Sequence, residues 1–224
     1  MKTESDVVQL IKDKDVKFVD FRFTDTRGKM QHVTADASCI DEELLSEGYA
    51  FDGSSIAGWK GIEASDMLLI ADMESAHIDP FFAQTTLALF CDIREPSTGQ
   101  AYERDPRSIA KKAEAYMQSS GVGDTVYFGP EAEFFMFDDV RFSAEPYNTG
   151  FRVDSTELPS NMGTEYEMGN LGHRPRTKGG YFPVPPIDSG QDIRSEMLAV
   201  MAEMGVSVEK HHLSLIHISE PTRP

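Results

Sequence analysis

Cysteine is scarce in this chain of 224 residues: only Cys39 and Cys91 occur, and neither sits in a metal-ligand spacing. That argues against a cysteine metal site and for a reducing compartment, with both residues expected as small buried thiols. Cations are also few, 21 lysines and arginines against 38 aspartates and glutamates, and a formal charge of −17 repels phosphate backbones and anionic lipid. Nucleic acid is therefore not expected as a partner. No apolar run approaches the length of a membrane span, and Met1–Asp6 offers charges and helix caps where an export signal would be hydrophobic. The expectation is a cytoplasmic protein without a membrane partner. Hydrophobic residues make up 40% and aromatic residues 10%, so the acidity does not signal disorder, and the length allows one large or two small cores.

The first hundred residues read as a small mixed-strand domain. Thr3 and Asp6 fit a capping box ahead of Val7, Val8, Leu10 and Ile11, which recur on one helical face. Lys17–Phe23 alternates, with Val19, Phe21 and Phe23 on one side, and Thr24–Gly28 turns the chain into a second strand over Lys29–Thr34. A short helix over Asp41–Ser46 ends at Gly48, and Met67–Ala71 and Thr85–Ile93 are further strands. Between them lies Phe51–Trp59, a glycine- and serine-rich loop that carries Asp52 and the only tryptophan.

Glu95–Gln100 clusters proline, serine and glycine and marks a boundary, dividing the chain into 1–100 and 101–212. Asp105 caps a helix with Pro106 at its first position and an apolar stripe of Ile109, Ala113, Tyr116 and Met117 up to Gly121. The next stretch, Gly129-Pro-Glu-Ala-Glu-Phe-Phe135 within Val126–Phe137, is β-branched and aromatic, and it predicts a strand with Glu131 and Glu133 on one face. Carboxylates at i and i+2 lie roughly 6.5 Å apart, so the pair can grip hard cations such as magnesium or manganese. Ser143–Asp188 has no sustained period and many prolines and glycines, which predicts an ordered excursion with room for a hairpin. A second capping box, Ser189 with Asp192, opens a helix through Met204, and Val206–His212 alternates again as a strand. Arg174, Arg176 and Lys178 before Gly179-Gly180 could cradle phosphate, without the spacing of a P-loop.

Phe51-Asp-Gly-Ser-Ser with Ala64-Ser65-Asp66, Gly129–Phe135, the Met168–Arg176 approach and Lys178–Pro186 together resemble the bacterial type I glutamine synthetase family, over about residues 1–212. The resemblance implies an α+β chain: an N-terminal β-grasp domain followed by a truncated catalytic α/β domain, in a homo-oligomer that is a dodecamer at full length. It implies a ligase in which ATP phosphorylates glutamate to γ-glutamyl phosphate and ammonia then displaces the phosphate. Divalent magnesium or manganese would neutralise the phosphates. By the same resemblance Glu131 and Glu133 hold metals, Asp52 acts at a neighbouring subunit's site to bind ammonium and assist its deprotonation, and His212 contacts the phosphoryl or glutamate region.

The resemblance stops at Leu213. A third histidine and a metal-binding glutamate should follow His212, but the chain reads Leu213–Pro224, which resembles a foreign tail. The expectations are an absent second half, an inactive polypeptide only marginally folded beyond its first domain, and a tail that is disordered or loosely attached instead of replacing the lost strands, because Pro221 and Pro224 cannot donate ladder hydrogen bonds. Two alternatives remain: a γ-glutamyl-amine ligase of the same superfamily, and a non-catalytic assembly or regulatory relative. The intact Asp52, Glu131 and Glu133 weigh against the second.

Overall fold

The computed structural model describes residues 2–130, 132–155, 179–214 and the backbone of 218–222. It divides into two units, Met1–Tyr127 and Phe128–Pro224. In the first, the Thr3–Asp6 capping box forms as expected, with Asp6 accepting from the Thr3 N–H at 2.7 Å, and it opens α1 (Glu4–Asp13). One sheet follows, made of β1 (Phe18–Thr24), β2 (Met30–Asp36), β3 (Tyr49–Asp52), β4 (Asp66–Ala71), β5 (His77–Asp79) and β6 (Thr86–Arg94). Its order is β2-β1-β6-β4-β3, with β5 also on β6. Only β1 and β6 run parallel; Val19 lies opposite Leu87 and Phe21 opposite Leu89. Those inward residues, with Phe23, Met67, Leu69, Ile93 and Leu45 of α2 (Glu42–Glu47), are almost fully buried and form the core with Val7 and Ile11 of α1. Each such side chain contributes about 1.5–3 kcal/mol.

The opposite face of β1 departs from a simple alternation. Asp20 is 1% exposed, which is tolerable because Arg22 Nε (2.7 Å), Thr34 Oγ1 (2.7 Å) and His32 Nδ1 (2.6 Å) surround its carboxylate. Burial alone would raise the Asp20 carboxyl, but the bonds from Thr34, Arg22 and His32 outweigh it and hold it below its usual range. Cys91 is buried, and burial pushes its thiol up; Cys39 is exposed, contrary to the expectation for both cysteines. A three-residue helix places Cys39 at the surface, just after the end of β2.

Gly48 ends α2 at φ 103°, and a Cβ there would lie 3.0 Å from the Leu69 carbonyl and against Ile70. Gly48→Ala should destabilise the first unit by on the order of 1–3 kcal/mol. Urea denaturation followed by tryptophan fluorescence would check this, and an unchanged midpoint would refute it. Helix α3 (Pro106–Ser120) carries its Asp105 cap and ends at the left-handed Gly121. Asp105 and Ser108 are buried, so the first turn is anchored, yet Ile109 and Tyr116 of the apolar stripe are exposed. Ala113 is exposed as well, and Met117 is half-buried.

The second unit contains β7 (Phe134–Phe135), the hairpin β8 (Asp139–Glu145) and β9 (Asn148–Asp154), helix α4 (Gln191–Glu203), β10 (Lys210–Leu213) and β11 (Ile218–Thr222). The hairpin falls earlier than, and overlaps, the excursion read from Ser143 onward. The strand expected over 126–137 shrinks to the two residues of β7, since Pro130 lacks a donor and a strand persists only where a neighbour pairs with it. The second capping box is also absent: the N-cap of α4 falls on Gly190, which has no side chain to accept, and the Gly190 N–H donates to Asp188 Oδ1 at 3.2 Å. Finally, β11 pairs with β10 and β7, where the tail was expected to be disordered or loosely attached and not to stand in for a strand. Two open strand edges will take up an extended segment, and one proline costs only its own ladder bond.

Candidate active site

Asp52 closes β3 on the first unit and is exposed. Its Oδ1 accepts from the Ser54 N–H (2.8 Å) and the Ser54 hydroxyl (2.6 Å), and its Oδ2 from the Ser55 hydroxyl (3.3 Å). The Ser54 hydroxyl, then the Ser54 N–H, hold the carboxyl below its ordinary value. Such a carboxylate stays ionised; it suits holding a cation better than removing a proton near neutrality. Asp66 lies directly opposite on β4, adding like charge. The loop is fixed from behind. Trp59 is buried against Tyr102 (5.3 Å), Phe23 (5.6 Å) and Phe51 (6.2 Å), and Arg104 donates to the Gly58 and Trp59 carbonyls.

In the second unit, Glu133 is exposed just before β7, and Glu131 lies outside the described residues, as do the basic residues Arg174, Arg176 and Lys178. Among the described residues no three acidic, histidine or cysteine side chains come together as a metal site. His212 stands on β10 against the aromatic pair Tyr181–Phe182, with both rings edge-on to it at 5.4 and 4.6 Å. Its neighbour His211 is held by α4: Arg194 Nε donates to Nδ1 at 3.2 Å, and Nε2 meets Ser195 Oγ at 3.1 Å. Arg194 is wholly buried and paired with buried Asp188.

Sequence reasoning missed this Asp188–Arg194–His211 cluster; an arginine between Ile193 and Met197 on an apolar helix was the available signal. The Asp-x-Ser-Ser pattern could likewise have shown how Asp52 is held. Burial first, then the Arg194 charge and His212, lower the His211 pKa below its usual 6.5, while Asp188 pulls the other way. The unfolded ring therefore binds a proton at a higher pH than the folded one. The second unit should be fully stabilised by this group above about pH 6.5 and lose that contribution as pH falls. Hydrogen exchange over 187–213 should accelerate between pH 7.5 and 5.5, after correction for intrinsic rates, while the Asp20 strand does not change. Equal behaviour of both segments would refute it.

The fold defines the class: a β-grasp sheet domain followed by a catalytic domain, in a mixed α+β chain. Residues 15–96 match the glutamine synthetase β-grasp domain and residues 103–216 the glutamine synthetase catalytic domain, so the chain belongs to the glutamine synthetase family. It is 66% identical over 212 residues to the glutamine synthetase of Rhizobium meliloti and 70% identical over 212 residues to that of Bradyrhizobium diazoefficiens. Each match covers 95% of this chain and 45% of the relative. It is 58% identical over 208 residues to the 3-hydroxylaminophenol mutase of Cupriavidus pinatubonensis, covering 93% of this chain and 44% of that one. The Plasmodium falciparum glutamine synthetase structure aligns with a TM-score of 0.86 at 27% identity, over 99% of this chain and 44% of that one. The chain thus spans less than half the length of the relatives it matches. No helix among the described residues is long and apolar enough to cross a membrane.

Proposed function

We propose that the chain is the N-terminal part of an ATP-dependent glutamate–ammonia ligase that forms glutamine through γ-glutamyl phosphate. The observation that carries this is identity of up to 70% over 212 residues with proteins named glutamine synthetase, spanning both the Asp52 loop and the Glu131–Glu133 stretch. In this reading Asp52, held ionised by Ser54 and Ser55, anchors ammonium by charge at the site of a neighbouring subunit in a dodecamer. His212 contacts the glutamate or phosphoryl region. Glu131 and Glu133 hold magnesium or manganese, which when bound neutralises phosphate charge and orients the carboxylate for phosphorylation. ATP, glutamate and ammonium are the substrates, the domains divide near residue 100 with a foreign tail over 213–224, and the compartment is the cytoplasm. The mutase-named relative favours one further reading, in which the same family scaffold serves an aromatic hydroxylamine rearrangement.

The test is a chimera joining residues 1–212 to the remaining part of the Bradyrhizobium relative. It should form glutamine from glutamate, ammonium and ATP with either metal, whereas polypeptide Met1–Pro224 alone should form none. A chimera that assembles but makes no glutamine sinks the ligase reading, and turnover by the 224-residue chain alone sinks the need for the missing part.

A further inference from the structure

The first unit holds a cavity between its sheet and α3. On β6, Asp92 and Arg94 alternate with buried Ile93, so both stand on the face of the sheet opposite the core, and Ile70 of β4 lies directly across from Asp92. The chain then folds back on β6. The Glu95 N–H donates to the Gln100 carbonyl (2.9 Å) and the Tyr102 N–H to the Ile93 carbonyl (2.8 Å), which sets Ala101 beside Arg94. Helix α3 is pinned at its start: Asp105 accepts from the Ile93 N–H (3.2 Å), Arg107 donates to Asp92 (2.9 Å) and Asp72 (2.7 Å), and Lys111 pairs with Asp92. Ala101 and Ala115 offer only a methyl each between these walls. A cavity of about 360 Å³ is left, lined by Ile70, Arg94, Ala101, Lys111, Lys112 and Ala115 among others. That volume is in the range of small-molecule sites.

The cations of this cavity exceed its acids. Burial would raise the Asp92 carboxyl, but the bonds from Lys111 and Arg107 hold it below its ordinary value, so this carboxylate is already answered by two cations. Arg94 and Lys112 have no ion pair among the described residues. A chain with 38 acids against 21 lysines and arginines thus keeps two cations unanswered at one cavity. Arg94 is half-buried, and a guanidinium that has given up part of its water gains most from a carboxylate, whose two oxygens match its fork. We propose that the cavity is a binding site for a small carboxylate with an apolar body, its head held by Arg94 and Lys112 and its body against Ile70, Ala101 and Ala115. Inorganic phosphate would meet the same cations, but the alkyl walls give it no further donors, and the Ser108 hydroxyl already donates to Asp105 (2.6 Å). Asp52 and His212 do not line the cavity, so the proposal stands apart from the ligase reading.

The test is a titration of the 15N-labelled 224-residue chain with phenylacetate, followed by amide shifts, with acetate, phenylacetamide and inorganic phosphate as comparisons. Phenylacetate should shift the amides of 92–94, 99–101 and 108–115 saturably, with Kd on the order of 1 mM. Acetate lacks the body and phenylacetamide the charge, so each should bind at least about tenfold more weakly. Arg94→Gln should weaken phenylacetate binding at least about tenfold and Lys112→Gln severalfold. Ala115→Trp fills the cavity from an exposed helix position; it should abolish the shifts while the amides of β1 and β2 keep theirs. Lys14→Gln, away from the lining, should change nothing. No saturable shift up to about 20 mM overturns the proposal, as does phosphate binding more tightly than phenylacetate. Equal affinity for acetate and phenylacetate overturns it too, since the walls would then play no part. Unchanged affinity in Arg94→Gln and Lys112→Gln overturns the assignment of the head. If Arg94→Gln does not fold, Lys112→Gln and Ala115→Trp, both at exposed helix positions, decide the matter, and parent-like binding in either overturns it.

Discussion

Replacing Arg194 with methionine is expected to destabilise the second unit by about 3–5 kcal/mol and leave the first unit unchanged. The substitution conserves much of the volume but removes the charge that faces buried Asp188 and the N–H that faces His211 Nδ1. Asp188 would then stay buried without that counter-charge, while still accepting the Gly190 N–H. Most of the cost is this orphaned charge, so adding Asp188→Asn to Arg194→Met should recover part of the loss. Segment-resolved hydrogen exchange under mild urea checks both expectations. A loss below about 1 kcal/mol for Arg194→Met, or a double variant no better than the single, would show that the pair carries little of the unit's stability.

The largest effect on activity is expected at Asp52. In the active chimera, Asp52→Ala should lower kcat/KM for ammonium by about 10²–10³-fold, the scale typical of losing one charge-stabilising group in a closed site. Stability should fall only modestly, through loss of the cap that Asp52 gives the Ser54–Ser55 turn. Glu133→Ala should instead impair turnover most at limiting metal. If Asp52 serves a neighbour's site, mixed oligomers of the two variants should regain part of the lost rate, since some interfaces would pair an intact loop with an intact acidic stretch. Mixed oligomers that form and show no recovery would exclude the shared site.

The first unit was largely legible in the sequence because its signals are local and agree with one another. The Thr3–Asp6 box, the alternation of Val19, Phe21 and Phe23, and the Asp105-Pro106 start of α3 each specify one element without help from distant residues. Buried Asp20 was not legible, since its three donors come from positions 22, 32 and 34 and meet only when β1 and β2 pair. In the second unit the stretch around Glu133 stands out by its residue types, but its predicted strand is not realised beyond Phe134–Phe135. Strand propensity there describes a surface seeking a partner, and the partner lies elsewhere in the chain. The Arg194 cluster failed for a related reason: a buried cation is invisible to patterning that assigns arginine to solvent, and only Asp188 and His211 reveal it.

The parallel pairing of β1 with β6 also governs how the first domain can be made. Val19 and Leu87 are neighbours in the centre of the sheet but far apart along the chain, and β1, β4 and β5 all pair directly with β6. On the ribosome, where synthesis proceeds at roughly 5–20 residues per second, the β1–β2 hairpin must wait several seconds before its central partner emerges. During that interval Phe21 and Phe23 have no sheet to cover them. The domain therefore closes late, by non-local contacts that fold slowly, and its most vulnerable moment is the delay before residue 94 clears the exit tunnel.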